Sequence, residues 1–291
     1  MLNLISAEWL KLSRRPLTWL LLVIFLLLLV IQIVTPFLFA FVIGSVSGPL
    51  GIQLAELVRG TSFPGVFGTA LGHMNGVGGI FAIFLTAAAM GNEYNWGTLR
   101  TQLVRYPKRS HYALAKVLTI MLLLALATII SLVLASTMGG LLNLWRSTPS
   151  WPSLADVALL PMGVLQALLV LLPYVLLTFW AAIVARSALV ATGIGLLYLV
   201  TDVSLGALTL FAQLGGIWQS LYKLMIGQNV NALVLQNSHR FGLHPEIVTP
   251  ALSADTLPDP FLATLVLMLY SALFLAGAVW MFQHRDLTSP V

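Results

Sequence analysis

The sequence predicts an all-α membrane protein with six transmembrane helices, and three observations lead there. Of 291 residues, 59% are hydrophobic and only 8% charged, against about a quarter charged in an average soluble domain. Mean hydropathy is +0.97. Apolar runs of about 20 residues, long enough to cross a hydrocarbon core, recur along the chain. They lack the ~10-residue alternation of a transmembrane β-barrel. The chain has no cysteine, which excludes disulfides, thiolate metal sites and a cysteine nucleophile.

The spans are expected at about Leu17–Ile43, Leu71–Met90, Ala113–Met138, Val157–Ala185, Ser187–Leu214 and Pro260–Phe282. The first is too long for the apolar core of a signal peptide and follows sixteen amphipathic residues, so it is expected to stay as a span. An even number of spans puts both termini on one side. That side gathers ten basic residues: Lys11, Arg14, Arg15, Arg100, Arg105, Lys108, Arg109, Lys116, Arg186 and Arg285. The other side has four, Arg59, Arg146, Lys223 and Arg240, with most of the acids. The positive-inside rule then assigns the termini and the 91–112 loop to the cytoplasm.

Before the first span, Leu2, Ile5, Trp9 and Leu12 form an apolar stripe with Glu8, Lys11, Arg14 and Arg15 mostly off it, and Pro16 separates the segment from the span. This pattern predicts an interfacial helix with Trp9 at headgroup depth. In the 91–112 loop, a helix over Trp96–Tyr106 would align Trp96, Leu99, Leu103 and Tyr106, with Thr98, Gln102 and Arg105 on another face. Pro107 should end it, and Lys108, Arg109 and Ser110 lead into the third span. Glu93 closes the second span, placed to pair with Arg100 or a partner's basic residue, or to stand as a solvated span terminus. Gly97 serves a close backbone approach or a turn. Outside, residues 214–259 are too polar to span and should form short helices dipping into the outer leaflet. Residues 44–70 and 139–156 read as ordinary loops.

The stretch Glu93-x-x-x-Gly97-Thr98-Leu99-Arg100, followed by Leu103, Pro107, Lys108, Arg109 and Lys116, resembles the first cytoplasmic loop of ABC-2 type exporter permeases. Glu8-Trp9-x-Lys11-Leu12 with Arg14 and Arg15 is similar to that family's elbow helix. The resemblance implies one transmembrane domain over 1–291, with an elbow helix at 1–16, a coupling loop at 91–112 and an extracellular re-entrant region at 214–259. It implies docking of cytosolic ABC ATPase subunits through Glu93, Trp96, Gly97, Thr98, Leu99, Arg100, Leu103, Arg105, Lys108 and Arg109. It also implies pairing with a second permease subunit in the inner membrane of a prokaryote. For Arg105, Lys108 and Arg109 the competing reading is a topological, lipid-facing charge cluster. The chain has no G-x-x-x-x-G-K-[ST] phosphate loop, so ATP and Mg are expected on the ATPase, with no cofactor and no nucleic acid on this chain.

Within the spans, Gln32, Gln166 and Asp202 are the polar residues to weigh as substrate contacts. Asp202 should lie about 22 Å along its span, in the outer half within reach of water. Pro161 and Pro173 are expected to kink the fourth span. His239-x-x-x-x-His244-x-Glu246 offers three potential zinc ligands and is the sole support for an intramembrane metal-dependent hydrolase. Its spacing is not H-E-x-x-H, and with Asn237 and Pro245 beside it the stretch reads as a polar loop without metal. A secondary transporter would show internal repeats or midplane charges, and neither is evident.

Overall fold

A computed structural model describes residues 2–43, 47–105, 108–146, 149–206, 216–249, 252–253 and 255–284. All elements among them are helical. A short helix α1 (Leu2–Ser13) precedes the first long one, α2 (Pro16–Ile43), whose leading proline sits where a helix has no need of its amide proton. On the far side α3 (Pro49–Arg59) follows, then α4 (Gly65–Asn95) returns to the near side and a short α5 (Thr98–Arg105) turns the chain into α6 (Arg109–Asn143). The remainder is α7 (Leu154–Ala185), α8 (Ala188–Gly206), α9 (Gly216–Leu224), α10 (Ile226–Arg240), a 3-10 turn at Pro245–Ile247 and α11 (Pro260–His284).

Six of these helices, α2, α4, α6, α7, α8 and α11, are long and apolar enough to cross a membrane. In lipid each must satisfy its backbone internally, which a continuous helix does. The expected spans all appear. The second is the one most understated, because α4 starts in a stretch diluted by Gly65, Gly68, Gly72, Gly76, Gly78 and Gly79. Small residues lower hydropathy but let helices approach. At Gly91 an added Cβ would overlap the Ala188 backbone of α8, and at Gly68 it would press on Leu243 and Phe241. Accordingly α4 and α7 form the buried centre, while α2, α8 and α11 leave most of their apolar surface outward.

Local signals explain the ends of α7. Ser153 and Asp156 exchange side-chain and backbone hydrogen bonds in a capping box, and Arg186 closes the helix in the left-handed region at φ 53°. Pro161 and Pro173 lie inside α7, which runs through both.

One expectation changes. Residues 44–70 are not a plain loop, since Pro49–Arg59 forms the amphipathic α3. The 3.6-residue spacing of Leu50, Leu54 and Leu57 was the available signal. The 214–259 region holds short helices, and α10 runs into the interior of the bundle. Its Gln228, Asn229, Asn237 and Ser238 are all buried among α4, α7, α8 and α11. Leu214 and the other residues of 207–215 lie outside the described residues.

Candidate functional site

Lys116 lies two turns into α6, between Ala115 and Val117, and is 0% exposed. An ammonium there must find partners within the protein. It finds three, one for each proton: Glu8 Oε2 of α1 at 2.9 Å, Glu93 Oε1 of α4 at 2.7 Å and the Ala89 carbonyl at 3.0 Å. Lys11 is satisfied in the same way, donating to Glu93 Oε1 at 3.0 Å, to Gln102 Oε1 of α5 at 3.1 Å and to Glu8. The Tyr112 hydroxyl meets both Glu93 Oε2 and Gln102 Oε1. It has one proton, so when that proton goes to the carboxylate, Lys11 still serves the Gln102 carbonyl oxygen. Two carboxylates and two ammoniums balance, and the cluster binds α1, α4, α5 and α6 together at one end of the bundle.

Apolar packing surrounds this cluster. Leu99 of α5 is 3% exposed and packs in a core with Leu4, Met90, Tyr112 and Phe282. Arg109 donates to the Phe282 and Gln283 carbonyls, both at 3.1 Å, placing a cation on the C-terminal end of α11. Arg15 donates to the Ala88 carbonyl at 3.0 Å, and its guanidinium stands 5.1 Å from the Trp96 ring centroid.

The expected loop helix is therefore revised. Gly97 takes φ +66° with nothing of the chain within 4 Å of an added Cβ, so within the chain it makes a turn. That turn ends α4 and lets α5 start at Thr98, which breaks the stripe: Leu99 is inside, but Trp96 is 61% exposed. Glu93 does not look outward to a partner. It is 1% exposed and paired with Lys116 and Lys11. Thr98 and Lys108 are accessible, the latter immediately preceding α6. The side chains of Arg100, Leu103 and Arg105, and all of Tyr106 and Pro107, lie outside the described residues.

In α1, Leu12 is buried as expected, but Leu2 is 81% exposed and Glu8 is the inward residue at 3%. The inward face is Leu4, Glu8 and Leu12, so the ion pair with Lys116 and apolar packing share that side of the helix. Trp9 is half-buried, and Arg14 is exposed. Sequence reasoning missed Gln102 and Tyr112 and took Lys116 for a loop charge. A usable signal existed: a lysine at the start of an apolar run needs counter-charges, and Glu8 and Glu93 are two of the few acids on its side.

Toward the other end, Asp202 is not open to water. It is 4% exposed and accepts from the Tyr174 hydroxyl at 2.8 Å and from the Gly227 amide at 3.0 Å, tying α8 and α7 to the start of α10. Gln166 donates to the Leu233 carbonyl at 3.0 Å and to Gln236 at 2.8 Å, and accepts from Arg240. Gln32 meets His73 Nδ1 at 2.6 Å and lines a cavity of about 290 Å³ with Glu56, Thr69, Ser238 and Pro245. Of the three candidate pathway residues, Gln32 thus lines a cavity, and Gln166 and Asp202 hold α10 in place.

The helices and the buried charge cluster define a multi-pass helical membrane protein. Residues 19–288 match the family described as "Protein of unknown function (DUF2705)", and the chain belongs to that family. A search of curated proteins found no match.

Proposed function

We propose that this chain is the transmembrane permease subunit of an ATP-driven exporter of the ABC-2 type, with α1 as its elbow helix and α5 as its coupling helix. The carrying observation is the seating of α5. Leu99 is sunk in the core, and Gln102 is hydrogen-bonded into an ion cluster shared by α1, α4 and α6. A helix fixed to three others moves them when pushed, whereas a flexible loop would bend. In this reading the exposed side of α5, with Thr101, Thr98 and the nearby Trp96, meets a cytosolic ATPase that hydrolyses ATP with Mg. A second permease subunit and lipid share the outward apolar faces of α2, α8 and α11. The ten-to-four distribution of Lys and Arg supports a cytoplasmic position for this end, and the resemblance to ABC-2 permeases supports the inner membrane of a prokaryote.

The test exploits the cysteine-free chain. Cysteine at position 101, carrying a short cross-linker, should capture a protein containing a G-x-x-x-x-G-K-[ST] phosphate loop. Leu99→Ser should leave that capture largely intact but separate ATP hydrolysis from transport in reconstituted vesicles. Labelling of position 101 by an impermeant reagent in intact cells would reverse the orientation. Absence of any phosphate-loop protein among the cross-linked products would defeat the reading.

A further inference from the structure

We propose that His239, His244 and Glu246 form a binding site for a late first-row divalent metal ion, of the zinc type, at the end of the bundle opposite the buried charge cluster. The three residues come from two elements brought together by a tight turn. His239 is in the last turn of α10, Gly242 reverses the chain at φ +71°, and His244 and Glu246 flank Pro245 at the start of the 3-10 turn. Their ligand atoms all lie within 4.8 Å of one another. Glu246 Oε1 is 3.1 Å from His239 Nε2 and 3.2 Å from His244 Nδ1. A tetrahedral ion with bonds of about 2.0–2.1 Å spaces its ligands about 3.3 Å apart, so both histidine–carboxylate edges are nearly at that spacing. The imidazoles are inclined at 44° with centroids 5.1 Å apart, so they approach from different directions and do not stack.

The donor set selects the ion. Two imidazoles and one carboxylate suit zinc and its neighbours, while calcium and magnesium need oxygen ligands throughout. Exposures of 39%, 46% and 30% leave an entry path and a fourth position for water. The turn is also held without metal, because Glu56 of α3 accepts from the His244 amide. A bound ion would staple the end of α10 to the turn whose Pro245 and Leu243 line the cavity beside Gln32, fixing one wall of that cavity.

This site does not depend on the transport reading, and its test uses metal alone. The full chain is purified with a tag free of histidine, stripped with chelator, placed in nanodiscs and titrated with Zn²⁺ against a chromogenic chelator. Wild type should take up one equivalent at micromolar or tighter affinity, and Co²⁺ should give the visible bands of a four-coordinate site. His239→Ala and His244→Ala should each weaken binding about tenfold or more, and Glu246→Gln should remove the Co²⁺ bands. His111→Ala and His284→Ala, at the other end of the bundle, should bind as wild type. All five variants should keep the wild-type tryptophan fluorescence melt without metal. The proposal is overturned if wild type shows no saturable equivalent, or if the double variant His239→Ala/His244→Ala binds Zn²⁺ as tightly as wild type.

Discussion

Replacing Lys116 by Met keeps the length and apolar stem of the side chain and removes only its charge. In the intact protein two carboxylates stand 2.7 and 2.9 Å from the ammonium. At an effective dielectric constant of about 20, each contact is worth about 6 kcal/mol of Coulomb attraction before desolvation is subtracted. Most of that offsets the cost of taking the ions out of water. The loss on breaking such a buried group is about 3–5 kcal/mol, because the uncompensated charge stays behind. Lys11 remains, but it is one-third exposed and faces both Glu8 and Glu93. For a chain of this size the loss corresponds to a fall in melting temperature on the order of 10 °C. Intrinsic fluorescence of the eight tryptophans follows unfolding in mild detergent. Adding Glu8→Gln to Lys116→Met leaves Glu93 and Lys11 as a balanced pair and should recover most of the loss. A Lys116→Met melt within a degree of wild type, or no recovery in the double variant, would refute the account of the cluster.

At Gly91, alanine should drive its Cβ into the Ala188 backbone, which has no flexible end to yield; Gly76, with nothing within 4 Å, is the control. Gly91→Ala should lower folded yield and melting temperature by about 1–3 kcal/mol equivalent, and Gly76→Ala should be neutral. Equal behaviour in both would mean that α4 and α8 do not touch there. Asp202→Ala strands the Tyr174 hydroxyl and the Gly227 amide, each at about 1–3 kcal/mol. Hydrogen exchange should then speed across α10 before it does in α4 or α7, and unchanged protection of residues 226–240 would show that Asp202 does not hold that helix.

The parts legible in the sequence are those set by the solvent. Uninterrupted apolar runs force helices in lipid, so α2, α7 and α11 could be read almost to their ends. Where packing against another helix replaces lipid contact, the signal weakens, and glycine-rich α4 extends past both expected limits. Charge was harder to read than hydropathy. The positions of Glu8, Glu93 and Lys116 fitted a local reading of solvated termini, yet two of the pairs that bury them, Lys11–Glu93 and Lys116–Glu8, join residues 82 and 108 apart. The same physics that favours solvating an exposed carboxylate makes a paired one worth burying when two cations converge on it. No window of neighbouring residues contains that convergence. It depends on α1 folding back beneath the bundle, which places Glu8 and Lys11 where the ends of α4, α5 and α6 meet. Holding α5 through such a cluster also makes its attachment directional. Displacing Gln102 disturbs Lys11 and Tyr112 together, and both also hold Glu93, so the short helix is tied to α1, α4 and α6 through one shared cluster.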